Sequence, residues 1–201
     1  MKILVTGSSG LLGIKLTDLI LAEGVHEVCG ISRSDLDADY PFHKGDITDT
    51  AFLAEVFQKE RPDVVVNTAA MTNVDQCELE QQACWAVNVD AVKHLIAECR
   101  KQSAFLLHVS TDFIFDGTHG PLKENEQPSP VNFYGESKLA AERLVENSGL
   151  DWAVARTVLV YGYNPTMTRS NIVLWVRDSL MQGKEINVVD DQFRTPTLAE
   201  D

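Results

Sequence analysis

The sequence is poor in basic residues. It has 17 lysines and arginines against 30 aspartates and glutamates, which gives a formal net charge of −13. Non-specific binding to nucleic acids or to anionic membranes needs a basic surface, so this balance argues against both classes of partner. An anionic small ligand is compatible with the charge, because a local site can bind one in a protein of any net charge.

Paired cysteines, zinc motifs and long apolar runs are also missing. The four cysteines (Cys29, Cys77, Cys84 and Cys99) contain no CxxC pair, so we expect reduced, packed thiols in a cytoplasmic protein. The five histidines are scattered and form no HExxH motif, which leaves a metal site without support. The apolar run within residues 1–7 is too short for a signal peptide or a membrane span.

What is present suits one compact domain. The chain has 201 residues, of which 44% are hydrophobic and 23% charged, enough for a substantial core. Strand and helix patterns alternate along it, which predicts an α/β fold with a doubly wound, Rossmann-like parallel sheet. Ligands of such sheets bind outside the carboxyl ends of the strands, so the residues that follow each predicted strand are the candidate site.

A glycine-rich turn follows the first predicted strand, residues 2–6. Gly7, Gly10 and Gly13 come directly after it, and leucines at helical spacing begin at residue 12. Glycine in a strand-to-helix turn lets a phosphate approach the main chain, and the helix N-terminus presents free N–H groups to it. We therefore favour a dinucleotide phosphate site over a tight turn without a ligand, although the spacing is GxxGxxG rather than GxGxxG.

The end of the second predicted strand, residues 27–32, bears on cofactor choice. An acidic residue there is typical of NAD sites, because it binds the ribose 2′-hydroxyl. This strand ends in Ser32 and Arg33, which would suit a 2′-phosphate and favour NADP. Asp35 lies just beyond and keeps NAD as an alternative, and Arg33 as a solvated loop residue is another.

Further predicted strands also end in small or polar residues. The third strand (40–43) is followed by Asp46 and Ile47, the fourth (63–67) by Ala69, Ala70, Met71 and Thr72, and the fifth (105–110) by Thr111 and Asp112. A sixth strand is predicted over 152–157. A long helical region over 81–101 contains Asn88, a polar residue that needs a partner if it is buried. The candidate residues thus converge on one edge of the sheet.

Tyr134 and Lys138 are four residues apart at the start of a predicted helix, after a loop over 116–131. This spacing places both side chains on one helix face, one turn apart. An ammonium beside a phenol lowers the pKa of the phenol, which could then exchange a proton with a substrate oxygen near neutral pH. A surface tyrosine beside a solvated lysine is the simpler alternative for this short pattern.

The order of these motifs resembles the extended short-chain dehydrogenase/reductases, and within them the dTDP-4-dehydrorhamnose reductases. The motifs are Thr6-Gly7-x-x-Gly10-x-x-Gly13, Asn67-Thr68-Ala69-Ala70, Ser110-Thr111-Asp112 and Tyr134-x-x-x-Lys138. The closer match rests on residues 110–117, 132–138 and 191–197. The resemblance implies NAD(P)H-dependent reduction of the 4-keto group of a nucleotide-linked 4-keto-6-deoxy sugar.

The resemblance also implies a role for each matching residue. Thr111 would bind the substrate carbonyl with Asp112 beside it, Tyr134 would donate the proton, and Lys138 would tune Tyr134. Cofactor contacts would come from Gly7, Gly10, Leu11, Leu12, Gly13, Ser32, Arg33, Asp46, Ile47, Ala69, Ala70, Met71, Thr72, Tyr134 and Lys138. The implied cofactor is NADP, with NAD as the alternative, and relatives of this kind often form homodimers.

Two departures from the reductase pattern concern the substrate side. Leu159 stands where the reductases carry a tryptophan that is thought to lie against the sugar, and it offers less stacking surface. Residues 197–200 read as a capping box that opens a helix, yet the chain ends one residue later. We therefore expect a truncation, with a dinucleotide-binding domain over 1–160 and the start of a substrate-binding part over 161–201.

Other functions fit parts of the same pattern. A nucleotide-sugar epimerase is one alternative, whereas a dehydratase is disfavoured because Phe113 stands where those enzymes carry a glutamate. A third reading is a regulatory, NADP-binding subunit like the β subunit of methionine adenosyltransferase, which also has leucine at the position of Leu159. The combination of Thr111, Tyr134 and Lys138 favours an enzyme.

Overall fold

A six-stranded parallel sheet forms the centre of the protein, whose computed structural model describes residues 1–165, 171–192 and 194–201. The strand order is β3-β2-β1-β4-β5-β6, which confirms the doubly wound sheet expected from the sequence. The strands are β1 (Lys2–Thr6), β2 (Glu27–Ser32), β3 (Phe42–Lys44), β4 (Val64–Asn67), β5 (Phe105–Thr111) and β6 (Trp152–Thr157).

Seven α-helices connect the strands or follow them in the described ranges. They are α1 (Leu11–Glu23), α2 (Thr50–Glu60), α3 (Val74–Leu79), α4 (Gln81–Trp85), α5 (Ala91–Gln102), α6 (Phe133–Glu146) and α7 (Ile172–Met181). A π-helical turn, Ala86–Asp90, joins α4 to α5. The single helix predicted over 81–101 is therefore interrupted by a wider turn that contains Asn88. None of the helices in these ranges is long and apolar enough to cross a membrane.

Alternation along the central strands separates two cores. Leu4 and Val65 pack on one face with residues of α2, α5 and α6, whereas Val5 and Val66 pack on the other face with Ile20 of α1. A parallel sheet covered on both faces needs such continuous apolar strands. Truncating a buried leucine such as Leu4 to alanine costs about 2–5 kcal/mol. The packing on both faces therefore holds the strands in place, and with them the rim of the sheet formed by their carboxyl ends.

The C-terminal residues correct one expectation. Thr197–Leu198 form a strand, β8, parallel to β7 (Val160–Tyr161), rather than the first turn of a helix. The N–H of Ala199 donates to the carbonyl of Tyr161 at 2.8 Å. This long-range pairing satisfies backbone groups that the predicted capping box would have left to a helix, so the tertiary contact prevails over the local signal.

Candidate active site

Close packing explains two glycines of the turn after β1. Gly7 has a φ of 70°, and a Cβ placed there would lie 2.9 Å from the backbone of Ala69. A Cβ on Gly13 would lie 2.3 Å from the Gly7 carbonyl oxygen, so α1 can approach β1 only with glycine at this position. The turn thus brings the N-terminus of α1 directly over the end of β1.

The N-terminus of α1 has the features of a phosphate cradle. The helix begins at Leu11 with Gly10 as its N-cap, so no side chain caps it, and its first turn contains no acidic residue. The N–H groups of Leu11 and Leu12 precede the first intrahelical bond, which runs from Ile14 to Gly10 at 2.9 Å. Such free N–H groups and the positive end of the helix dipole fit the pyrophosphate of a dinucleotide.

The ends of β2 and β3 place two cations and two carboxylates at the same edge. Ser32 is buried and its hydroxyl is hydrogen-bonded to that of Ser9 in the glycine turn. The Arg33 side chain is 73% exposed, and its Nη1 lies 3.9 Å from Asp46 Oδ2. Asp35, the acid that kept NAD open, pairs with Lys44 at 2.6 Å and its carboxylate therefore already has a cation.

Asn88 anchors the segment that follows β4. Its Oδ1 accepts from the N–H of Met71 at 2.8 Å, and its Nδ2 donates to the Met71 carbonyl at 3.0 Å and to Ser137 Oγ at 3.0 Å. The partners that the sequence required for this buried amide are therefore the Met71 backbone, in the loop that follows β4, and Ser137 on α6. Asn88 positions that loop against α6, a role that the sequence alone did not indicate.

Thr111 and Tyr134 meet at the carboxyl end of β5. The Thr111 hydroxyl lies close enough to the Tyr134 phenol to affect its pKa, and the Tyr134 ring packs edge-on against Phe113 with 5.6 Å between centroids. Tyr134 is only 8% exposed. Desolvation raises the pKa of Tyr134 to about 12, while the nearby Thr111 hydroxyl lowers it in part.

The expectation that Lys138 lowers the pKa of Tyr134 is wrong for this structure. Lys138 lies one turn beyond Tyr134, but its Nζ is directed to the interior, where it donates to the Val109 carbonyl at 2.7 Å and contacts His108 Nε2 at 3.1 Å. Burial lowers the pKa of Lys138 to about 8. The ammonium therefore has buried partners of its own.

His108 and Arg194 are site residues that the sequence reasoning missed. His108 is buried on β5 behind Lys138, and Arg194 Nη1 pairs with Asp112 Oδ2 at 3.1 Å. A histidine within the apolar strand 105–110 was the available signal for the first. No local signal identifies the second, because Arg194 and Asp112 are 82 residues apart in sequence.

Two remaining features concern the substrate side and metals. Leu159 has a φ of 40° and is partly exposed, so it presents a small apolar surface beyond β6.

Within the described residues, no group of three or more His, Cys, Asp or Glu side chains could hold a metal ion.

The strand order is that of dinucleotide-binding sheets, and the tyrosine and lysine on α6 beside a threonine of β5 place the chain among the extended short-chain dehydrogenase/reductases. Within that class it belongs to the family described as RmlD substrate binding domain, whose model matches residues 1–201.

Named relatives differ in what they do. The chain is 36% identical over 200 residues to dTDP-4-dehydrorhamnose reductase of Burkholderia thailandensis, covering 99% of this chain and 62% of the relative. It is 32% identical over 201 residues to methionine adenosyltransferase 2 subunit beta of Pongo abelii, covering 100% of this chain and 59% of the relative. The chain therefore spans less than two thirds of each of these relatives.

The fold also matches solved structures. The crystal structure of dTDP-4-dehydrorhamnose reductase from Bacillus anthracis in complex with NADP superposes with a TM-score of 0.86 at 28% identity. The match covers 98% of this chain and 66% of that chain.

Proposed function

We propose that the protein carrying this chain reduces the 4-keto group of a nucleotide-linked 4-keto-6-deoxy sugar with a reduced nicotinamide dinucleotide. The observation that carries the proposal is the proximity of the Thr111 and Tyr134 side chains at the rim of the sheet. It brings two hydroxyl groups to the edge where the cradle at Gly10–Leu12 would bind a dinucleotide. Residues 1–160 would bind cofactor, and 161–201 would begin the substrate-binding part.

The two hydroxyls suit the oxygen of a ketone. When bound, the reduced cofactor supplies the hydride, and the residues of the chain control the oxygen on which negative charge develops. Thr111 and Tyr134 would donate hydrogen bonds to that oxygen, and Tyr134 would then protonate it. A phenol that is protonated throughout the neutral range, as the raised pKa of Tyr134 requires, is in the correct form to act as the acid in reduction.

NADP is the proposed cofactor because of the charges at the end of β2. Arg33 is an exposed cation able to pair with a 2′-phosphate, and Lys44 neutralises Asp35, the acid after β2 that could bind a 2′-hydroxyl. Asp46 and Ile47, next to the end of β3, would lie along the adenine. Ala69, Ala70, Met71 and Thr72 would lie along the rest of the dinucleotide.

The proposal is tested by titrating the full-length protein with NADPH and NADH and then assaying a panel of keto-sugar nucleotides for oxidation of the bound cofactor. We expect tighter binding of NADPH and turnover of at least one 4-keto sugar nucleotide. Binding of cofactor without turnover of any keto sugar would contradict the enzymatic proposal.

A regulatory, NADP-binding subunit is the second candidate. It is favoured by Leu159, which replaces a stacking tryptophan, and by similarity to a methionine adenosyltransferase subunit. The same titration separates the two, because a regulatory subunit would bind NADPH, fail to oxidise it with any keto sugar, and change the activity of a methionine adenosyltransferase added to the assay.

A further inference from the structure

A chain of buried polar side chains leads from Lys138 away from the candidate active site. His108 Nε2 lies 3.1 Å from Lys138 Nζ, and His108 Nδ1 lies 3.0 Å from Asn67 Nδ2. Asn67 Oδ1 in turn accepts a hydrogen bond from Thr6 Oγ1 at 2.6 Å. This series of four side chains crosses β5, β4 and β1, and each of the four residues is no more than 2% exposed.

These hydrogen bonds require one tautomer of His108. The Asn67 amide group donates to Nδ1, so the single ring proton of a neutral imidazole is on Nε2 and faces Lys138. Nε2–H is a donor, and only an uncharged Lys138 amine could accept from it. An ammonium group has no lone pair and would face that donor unpaired.

A charged Lys138 requires the opposite tautomer. The ammonium donates to the Nε2 lone pair, the ring proton is on Nδ1, and the Asn67 amide must turn its oxygen toward His108. Asn67 Nδ2 then faces Thr6 Oγ1, and a hydroxyl can accept as well as donate. In both arrangements each contact pairs a donor with an acceptor, and in the second the Thr6 hydroxyl proton turns away from Asn67. A mixed arrangement sets two donors or two acceptors against each other and leaves a buried group unpaired, at a cost of about 1–3 kcal/mol.

We propose that His108 is a positioning residue for Lys138, and that its ring proton changes nitrogen when Lys138 gains or loses its charge. The net change is the loss or gain of one proton at Lys138, while the imidazole remains neutral. Lys138 Nζ thereby keeps a hydrogen-bond partner, and the same position one helical turn beyond Tyr134, in both charge states. The consequence for catalysis rests on the proposed function, but the linkage itself does not.

The surroundings of both groups agree with this exchange. Burial, and after it the charge of Lys138, holds the pKa of His108 well below its usual range, so that the ring stays neutral. The groups around Lys138 are His108 and the Val109 carbonyl on β5, Cys84 on α4 and Glu142 on its own helix. Of these, Glu142 and Cys84 favour the ammonium, while burial opposes it more strongly.

The test is a long-range ¹H–¹⁵N spectrum of the histidine rings in the ¹⁵N-labelled full-length protein. It shows directly which ring nitrogen carries the proton, and the His108→Gln variant assigns the signal. The titration runs from about pH 6 to about pH 10, which spans the ordinary range of histidine and approaches that of lysine. We expect Nδ1–H at low pH, Nε2–H at high pH, and a midpoint near the Lys138 pKa of about 8.

Two variants make the outcome decisive. In Lys138→Met the ring should remain the Nε2–H tautomer at every pH, because the Thr6 hydroxyl donates to Asn67 Oδ1 and so directs the Asn67 amide N–H toward His108 Nδ1. In Asn67→Asp the carboxylate accepts from Nδ1–H and keeps Nε2 as an acceptor, so the ring should remain Nδ1–H and the pKa of Lys138 should rise by about one unit.

One tautomer throughout the titration of wild type, or the same crossover in Lys138→Met, would overturn the proposal. Neither reading depends on turnover, so a failure of the linkage is distinguishable from a failure of the proposed reductase activity. If the protein is a reductase, the alkaline limb of its pH–rate profile should move to higher pH in Asn67→Asp.

Discussion

Gly135 lies against the backbone of Phe113, so close that a Cβ on Gly135 would stand 2.2 Å from the Phe113 carbonyl oxygen. This contact joins the start of α6 to the short turn, Asp112–Ile114, that follows β5. Tyr134 precedes Gly135, and Thr111 lies two residues before Phe113. The approach of the two backbones therefore determines how close the two candidate catalytic hydroxyls lie to each other.

Gly135→Ala should separate Thr111 from Tyr134 while leaving the core intact. The added methyl group meets a backbone atom that cannot rotate away, so α6 must move. A displacement of about 1 Å at a reacting group costs on the order of a hundredfold in rate. We expect kcat to fall by about that factor, with NADPH affinity nearly unchanged. The exposed neighbour Glu136→Ala is the matched control, and an equal loss of rate in both variants would refute the account.

Arg33→Ala should weaken binding of NADPH but not of NADH. The exposed guanidinium is the group proposed to pair with the 2′-phosphate, and a hydrogen bond to a charged group contributes about 1.5–3 kcal/mol. This corresponds to a loss of roughly ten- to a hundredfold in NADPH affinity, measured by fluorescence titration. Lys59→Ala, another exposed cation on this chain, should change neither affinity. A parallel loss for both cofactors would place Arg33 outside the 2′-phosphate site.

Arg156→Leu should destabilise the fold. Arg156 Nη2 contacts Glu142 Oε2 at 2.7 Å, and Glu142 is only 1% exposed, so the substitution leaves a buried carboxylate without its cation. We expect the free energy of unfolding in urea to drop by about 3–5 kcal/mol.

The double variant Arg156→Leu/Glu142→Leu should recover most of that loss, because it removes both charges. Arg177→Ala, which breaks the exposed pair with Asp178, should cost less than about 1 kcal/mol. A double variant as unstable as Arg156→Leu alone would show that the buried charge is not the cause.

Lys138 should make the stability of the protein depend on pH in the alkaline range. Burial lowers its pKa from 10.5 to about 8, so between these values the unfolded chain binds more protons than the folded one. Stability contributed by this group therefore rises with pH through that window. The difference in unfolding free energy between wild type and Lys138→Met should grow by a few kcal/mol in favour of wild type.

Subtracting the unfolding free energy of Lys138→Met from that of wild type cancels the contribution of the buried thiols. Burial raises the pKa of Cys29, Cys77 and Cys99 to about 12, and these groups lower stability as pH rises above their ordinary values. They are present in both proteins. A difference that stays constant from about pH 8 to about pH 10 would show that Lys138 is not desolvated.

The sequence predicted those parts of the fold that local patterns determine. The apolar runs gave β1, β2 and β6 with their observed bounds, and the alternation of strands and helices gave the sheet class. Local patterns could not predict that Thr197–Leu198 form strand β8 instead of starting a helix, because the partner strand β7 is more than thirty residues away. A capping box is a local signal, and a long-range backbone pairing outweighed it.

The candidate site was predictable in its position but not in its interior. The positions after β1, β2, β4 and β5 lie at one rim because parallel strands share their direction. The inward orientation of Lys138 depends on His108, which is thirty residues away and reads as one polar residue in an apolar strand. Asn67 and Thr6 join the same series of hydrogen-bonded side chains because of the strand register, which local sequence patterns do not determine.

The measurement that tests the central claim most directly compares wild type with Tyr134→Phe in two assays, NADPH binding and single-turnover reduction of a 4-keto sugar nucleotide. The substitution removes only the phenolic oxygen that contacts Thr111. The account predicts NADPH affinity within about twofold of wild type and a loss of reduction of at least a hundredfold, the scale of a lost general acid. Equal reduction rates in the two proteins would contradict it.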